Sequence, residues 1–139
     1  MIREFQDEYR WLSNFAPCCI ILDNVKYQSV EHAYMSAKSD DKEWKHFCQT
    51  EPKASSVKKA SADIVLIDDW TSKRVEIMRQ CLYQKYAQEP YKSLLIATKH
   101  EYLQEGNNWE DKFWGVCLET NEGENILGKL IMEIRERLF

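Results

Sequence analysis

The stretch VKYQSVEHAYMSAK, residues 25–38, contains the clearest boundary between a strand and a helix in this chain. Ser29 has the side chain of a helix N-cap and predicts a helix over residues 30–38. Within that helix the apolar and small residues follow the i, i+3, i+4, i+7 spacing of a core-facing stripe: Val30, Ala33, Tyr34 and Ala37. One face of this helix is therefore predicted to lie in the core.

The residues before this helix predict a β-hairpin. Two short apolar runs, residues 20–22 and 25–27, flank the pair Asp23-Asn24. Both residues of the pair tolerate positive φ, which a two-residue hairpin turn needs.

The rest of the chain is predicted to be mostly helical, in an α+β fold with a few short strands. The segment 64–67 is apolar and short, and its periodicity leaves strand and buried turn equally open. Phe113–Leu118 is predicted as a strand. The remaining helices are predicted over 41–49, from Pro52 to residue 60, over 70–88 with an Asp68-Asp69 cap and Pro90 after its end, and over 91–97 and 124–138.

Length and composition indicate one domain over residues 1–139. A chain of 16.6 kDa is long enough to bury a sizeable core. Hydrophobic residues make up 44% and charged residues 30%, which excludes a disordered chain. No apolar run approaches the ~20 residues that cross a bilayer, and no basic-then-apolar leader opens the sequence. We therefore expect a cytoplasmic protein without a membrane partner.

Cysteine spacing and net charge limit the kinds of site. The five cysteines form no Cys-x-x-Cys pair, and three scattered histidines complete no zinc spacing, so no metal or other cofactor is expected. The net charge is 19 − 23 = −4. A protein that binds nucleic acid along a broad face is normally basic, so any such contact here is expected at a small site.

Glu31 and Lys38 are the first candidates for chemistry. They lie seven residues apart and so share one face of the predicted helix. A carboxylate near a helix N-terminus is also favoured by the helix dipole alone. Structural charge matching and a carboxylate at a pocket rim therefore both remain open.

Aromatic residues beside aspartates give a second set of candidates. Trp70 follows two aspartates, and Asp111 precedes Trp114 and Gly115. An indole can stack on a base, and it can equally cover a helix start or pack a loop. The free amides before the last helix, near Asn125, are a candidate phosphate site.

Taken together, these segments resemble the NADAR (YbiA-like) family. The matches occur in family order and span about residue 5 to residue 137. They are Trp11-Leu-Ser-Asn-Phe15, Val30-Glu-His-Ala-Tyr34 with Lys38, Asp69-Trp70, Asp111-Lys-Phe-Trp-Gly115, Gly123-Glu-Asn-Ile-Leu-Gly128 and Ile131-Met-Glu-Ile-Arg135.

The resemblance implies an α+β enzyme that cleaves N-glycosidic bonds of ribosylated nitrogen compounds without a metal. The expected activity is removal of ADP-ribose from guanine in DNA, which would oppose ADP-ribosyltransferase toxins. The alternatives are hydrolysis of riboflavin-pathway pyrimidine ribosylamine phosphates and a non-catalytic module that binds ADP-ribose or NAD.

The resemblance also implies roles for individual residues. Glu31 matches the catalytic carboxylate. Many family members read Trp-Gly-Asp where this chain has Val116 after Gly115, which leaves Asp111 as the nearby second catalytic candidate. The expected substrate-binding residues are Asn14, Phe15, His32, Lys38, Trp70, Trp114, Gly115 and Asn125.

Overall fold

The computed structural model describes residues 1–139 and divides them into two compact units. The central unit comprises Asn14–Gln88, and the terminal unit comprises Met1–Ser13 together with Glu89–Phe139. Most of the regular structure is helical, and the strands are few and short. The predicted α+β class is therefore confirmed, whereas the single domain over residues 1–139 stays a prediction.

Six α-helices and four strands make up these units. None of the helices is long and apolar enough to cross a lipid bilayer. The central unit contains β1 (Pro17–Leu22), β2 (Val25–Ser29), α1 (Val30–Ser36), α2 (Lys42–Thr50), α3 (Ala54–Ala60) and α4 (Trp70–Tyr86). The terminal unit contains α5 (Tyr91–Ala97), β3 (Gly106–Asn107), β4 (Val116–Cys117) and α6 (Ile126–Glu136).

The predicted hairpin opens the central unit. β1 and β2 pair antiparallel around a two-residue turn. Asp23 has a φ of 51° and Asn24 a φ of 65° in that turn. Hairpin turns of this kind need positive φ at both central residues, which Asp and Asn tolerate better than other side chains do. The prediction from the Asp-Asn pair is confirmed.

Helix α1 is buried along its whole length. The Ser29 Oγ accepts a hydrogen bond from the backbone N–H of His32 at 3.1 Å, which confirms the predicted N-cap. The helix packs against both hairpin strands and against α2, α3 and α4. Polar side chains of α1 are consequently held inside the protein.

Helix α4 begins at Trp70 as predicted, but its cap differs from the prediction. Asp69 occupies the N-cap position with a φ of 63°, and its side chain makes no capping hydrogen bond. A capping side chain reaches the first-turn amides from an extended backbone, and the left-handed backbone of Asp69 lacks that geometry. The Asp69 carbonyl instead accepts hydrogen bonds from the N–H groups of Ser72 and Lys73.

Two short predictions are corrected. Residues 64–67 form neither a strand nor a buried turn, because Val65 and Leu66 project into solvent. The strand expected over 113–118 is reduced to Val116–Cys117, which pairs in parallel with β3. The preceding residues turn around the Asp111 side chain, which binds the N–H groups of Phe113 and Trp114 and so keeps them out of a ladder.

Helix α6 confirms the amphipathic pattern predicted near the end of the chain. It runs over Ile126–Glu136, somewhat inside the predicted 124–138. Its apolar stripe lies in the core of the terminal unit through Leu127, Leu130, Ile131 and Ile134.

Lys85 is a fully buried lysine on α4. Burial lowers the pKa of its ammonium group from 10.5 to about 7, and the nearby Cys18 thiol acts in the opposite direction. Its Nζ lies 5.1 Å from the centroid of the Tyr86 ring. The charged form of Lys85 is therefore disfavoured in the folded protein.

We expect Lys85 to make stability depend on pH. Between its folded pKa of about 7 and its usual value of 10.5, the unfolded chain binds a proton that the folded chain does not. The free energy of unfolding therefore rises with pH across that interval. Lys85→Met should remove this rise in urea denaturation at a series of pH values. The exposed Lys73→Met is the matched control on the same helix and should keep the wild-type slope, and an unchanged slope in Lys85→Met would contradict the prediction.

The Ser29 cap gives a second prediction. Ser29→Ala removes the hydrogen bond to the His32 amide and the contact with the His32 ring. We expect the free energy of unfolding to fall by ~1–2 kcal/mol in chemical denaturation. The exposed Ser55→Ala on α3 is the control and should stay within ~0.5 kcal/mol of wild type. Equal values for the two variants would show that the cap contributes nothing.

Candidate active site

Glu31 lies in the first turn of α1 and is only 6% exposed. Its backbone N–H donates to the Asn14 carbonyl at 3.0 Å, which joins the start of α1 to the segment before the hairpin. A carboxylate at this depth is costly unless positive charge lies nearby.

Lys38 supplies positive charge near Glu31. Lys38 is half-buried just after α1, and burial lowers the pKa of its ammonium group. The Glu31 carboxylate raises that pKa, whereas the charges of Lys58 and Arg74 lower it further. These effects place Glu31 of α1, Lys58 of α3 and Arg74 of α4 near Lys38, which follows α1. We call these residues the charged cluster.

Aromatic rings lie beside the charged cluster. The Tyr34 and Trp70 ring centroids are 5.2 Å apart with an interplanar angle of 51°. The Nζ of Lys38 lies 5.8 Å from the Tyr34 centroid, and the Nζ of Lys58 lies 5.8 Å from the Phe15 centroid. The faces of aromatic rings attract cations at this distance through the ring quadrupole.

Asn14 completes this part of the central unit. The residue is 9% exposed, and its Nδ2 lies 3.5 Å from the Met78 sulfur. Its Oδ1 has no hydrogen-bond partner. Buried polar atoms in folded proteins are nearly always paired, so an unpaired amide oxygen is suited to accept a hydrogen bond from a ligand.

His32 is also predicted to bind substrate, but both ring nitrogens contact the protein. Nδ1 lies 2.7 Å from the Ser29 Oγ, and Nε2 lies 2.8 Å from the Glu51 carbonyl oxygen. Since that carbonyl can only accept, Nε2 carries the proton and Nδ1 accepts from the Ser29 hydroxyl. This arrangement favours a positioning role for His32 over direct substrate contact.

Asp111 and Trp114 lie together in the terminal unit. The Asp111 Oδ1 accepts hydrogen bonds from the N–H groups of Phe113 at 3.1 Å and Trp114 at 3.0 Å. The half-buried Trp114 ring meets the Phe113 ring edge-on, with centroids 4.9 Å apart. One Asp111 oxygen therefore shapes the turn that presents Trp114, which favours a structural role over catalysis.

Asn125 uses its side chain to bind backbone. Its Oδ1 accepts from the Glu105 N–H and its Nδ2 donates to the Leu103 carbonyl, both at 2.9 Å.

Gly115, which is also predicted to bind substrate, lies against the backbone of Glu105. A Cβ added to Gly115 would lie 2.1 Å from the Glu105 carbonyl oxygen, so only glycine fits there. This close approach joins the segment that contains Gly115 to the segment that contains Glu105.

The phosphate site expected before the last helix does not form in this structure. The N–H groups of Asn125, Ile126 and Leu127 donate to the carbonyls of residues 113–115. Since these amides are already satisfied within the protein, they cannot bind an anion without breaking those bonds.

Sequence reasoning missed Lys58 and Arg74. Arg74 lies four residues after Trp70 on the same face of α4, so the i, i+4 rule could have found it. Lys58 carries no comparable signal, because only the packing of α3 against α1 brings it to Lys38. No group of three or more His, Cys, Asp or Glu residues that could hold a metal ion is present.

Known proteins similar to this chain include N-glycosidases and proteins named for riboflavin biosynthesis. A riboflavin biosynthesis protein of Vibrio vulnificus is 31% identical over 138 residues, which cover 97% of this chain and 37% of that protein. An N-glycosidase of Nostoc punctiforme is 31% identical over 137 residues, which cover 94% of this chain and 86% of that protein. The chain thus spans little more than a third of the first relative and most of the second.

The NMR structure of the Escherichia coli protein YbiA has the same fold. It superimposes with a TM-score of 0.85 at 28% identity, over 99% of this chain and 82% of YbiA. The family model described as the NADAR domain matches residues 2–139. The resemblance found in the sequence motifs therefore holds for the whole chain, which belongs to the NADAR domain family.

Proposed function

We propose that the chain is an N-glycosidase that hydrolyses the bond between C1 of a ribose and a nitrogen of its base, with ADP-ribosylated guanine in DNA as substrate. The main support is the buried Glu31 carboxylate, which acts on the half-buried Lys38 ammonium group near Lys58, Arg74 and the Tyr34–Trp70 pair. The similar proteins named N-glycosidases, from Nostoc punctiforme and as YbiA from Escherichia coli, support the same reaction class.

Glu31 acts on the sugar carbon in this proposal. Cleavage of a C1–N bond passes through an oxocarbenium-like state, in which positive charge develops on the ribose ring. A buried carboxylate stabilises that charge more strongly than an exposed one would. The same carboxylate accepts a proton from the water that adds to C1.

Lys38 acts on the leaving base. When the C1–N bond breaks, its electron pair goes to the base nitrogen, which then needs a proton. Burial lowers the pKa of the Lys38 ammonium group, so this group gives up a proton more readily than an ordinary lysine. Water thus contributes a hydroxyl to the ribose, and Lys38 contributes a proton to the base.

The charge balance of the cluster favours a substrate with phosphate groups. Three cations face one carboxylate, which leaves positive charge for an anionic ligand. Arg and Lys side chains bind phosphate oxygens with charge-assisted hydrogen bonds. The unpaired Asn14 Oδ1 offers an acceptor for a ribose hydroxyl or a base amino group.

Hydrolysis of a pyrimidine ribosylamine phosphate is the second candidate function. The name of the similar Vibrio vulnificus protein favours it. Such a substrate carries one phosphate, so when bound it would pair with only part of the positive charge of the cluster. Val116 lies where many family members carry an aspartate, which favours the ADP-ribosylated substrate instead.

The direct test incubates the purified protein with each substrate separately. One is a DNA oligomer with a single ADP-ribosylated guanine, and the other is a pyrimidine ribosylamine phosphate. Mass spectrometry follows the release of the free base or pyrimidine. We expect release from the DNA oligomer. Binding without release from either substrate would favour the non-catalytic module.

We expect Glu31→Gln to keep the fold and to lower kcat by ~10²–10⁴, because the amide can neither accept the proton from water nor stabilise the sugar cation. The exposed Glu43→Gln on α2 is the matched control and should retain the wild-type rate. Circular dichroism checks the fold of both variants. Near wild-type turnover by Glu31→Gln would remove this residue from the mechanism.

We expect Lys58→Gln to raise KM for the phosphorylated substrate about tenfold, with little change in kcat, because one charge-assisted hydrogen bond to phosphate is lost. Lys59 is the next residue of α3 and is also exposed, so Lys59→Gln is the control and should leave KM unchanged. A substrate without phosphate should not distinguish the two variants. Equal KM values for both variants on the phosphorylated substrate would place the phosphate elsewhere.

A further inference from the structure

The connection between α3 and α4 exposes two consecutive apolar side chains. Val65 is 85% exposed and Leu66 is 51% exposed. They belong to residues 64–67, which are all apolar and which we call the apolar loop. Consecutive exposed apolar residues cost solubility and gain nothing for folding, so they indicate a surface that contacts another molecule.

The apolar loop is fixed beside the charged cluster. The Ile67 N–H donates to the Lys38 carbonyl at 2.8 Å, which ties the end of the loop to the segment that carries Lys38. The loop also joins the helix that carries Lys58 to the helix that carries Arg74. The end of the apolar loop therefore lies beside the backbone of Lys38, the central residue of the charged cluster.

We propose that Val65 and Leu66 contact the nucleobase next to the modified guanine in single-stranded DNA. This inference rests on the proposed function, in which that guanine carries the ADP-ribose. The cluster cations complement the phosphates of the adduct, and the two aliphatic side chains complement the apolar face of an unstacked base. A base inside a duplex shows only its edges, so a single strand is the substrate that offers such a face.

The charges around the loop limit the contact to a short stretch of DNA. Asp63 precedes the loop, and Asp68 and Asp69 follow it, all exposed. These carboxylates repel an extended polyanion, and the chain as a whole has a net charge of −4. The apolar loop therefore adds affinity for one neighbouring base rather than for a long tract.

The test compares two substrates that carry the same adduct. One is a single-stranded DNA oligomer with one ADP-ribosylated guanine, and the other is ADP-ribosylated guanosine alone. The double variant Val65→Ser/Leu66→Ser should raise KM for the oligomer about tenfold and leave KM for the guanosine adduct unchanged. Both residues are exposed, so the variant should fold as the wild type does.

Ile21→Ser is the matched control. Ile21 is 52% exposed on β1 in the same unit. Its backbone N–H donates to the side chain of Gln84 on α4. Gln84 lies fourteen residues after Trp70, or about 21 Å along the helix at 1.5 Å per residue, so Ile21 lies near the opposite end of α4 from Trp70. We expect this variant to hydrolyse both substrates with wild-type constants.

The outcomes separate this inference from the proposed function. An unchanged oligomer KM in the double variant, or an equal rise for both substrates, would overturn the contact while hydrolysis stands. If the wild type hydrolyses neither substrate, the proposed function fails, and fluorescence anisotropy of the oligomer then tests the contact. Loss of oligomer binding in the double variant supports the contact. Equal binding by the wild type and the variant, or no binding by either, overturns it. Loss of self-association in the double variant, with oligomer KM unchanged, would assign the loop to a second copy of the chain.

Discussion

The attraction between the buried Glu31 carboxylate and the half-buried Lys38 ammonium group is the interaction that links the candidate site to the packing of the central unit. Helix α1 is buried along its length, so Glu31 cannot be stabilised by bulk water as a surface carboxylate is. Its compensation comes from Lys38 after α1, which in turn lies near Lys58 on α3 and Arg74 on α4. Because these residues lie on separate elements, the charged cluster forms only when the elements are packed together. Three cations and one carboxylate also leave an excess of positive charge in the cluster, and such charge attracts anions.

Two buried asparagines, Asn14 and Asn125, differ in whether the protein satisfies the hydrogen-bonding atoms of their side chains. The side chain of Asn125 is fully used, since it accepts from one backbone N–H and donates to a backbone carbonyl. Asn14 is buried to a similar degree, but its Oδ1 has no partner. The same residue type therefore holds two segments together in one unit and keeps an unpaired acceptor atom in the other. His32 resembles Asn125 in this respect, because both of its ring nitrogens are occupied by the protein.

Local chemistry made much of the fold predictable. The Asp23-Asn24 turn needs positive φ at adjacent residues, and the Ser29 cap needs one hydroxyl near one free amide. Both requirements are met by residues close together in the chain, and both predictions are confirmed. The strand expected over 113–118 is shorter than its composition suggests, because the Asp111 side chain competes with the ladder for the same N–H groups. The prediction of an Asp69 cap is wrong because the backbone of Asp69 is left-handed, and no pattern of residue types predicts that conformation.

The amino-acid sequence alone was enough to identify the family, the α+β class and three residues of the candidate site, which are Glu31, Lys38 and Trp70. Their spacing within α1 and at the start of α4 carries that information, because helix geometry fixes which neighbouring residues share a face. Only the tertiary structure brought in Lys58, left Asn14 Oδ1 unpaired and exposed the apolar loop. These features depend on how distant segments pack, and packing decides which polar atoms are satisfied and which apolar side chains stay in water.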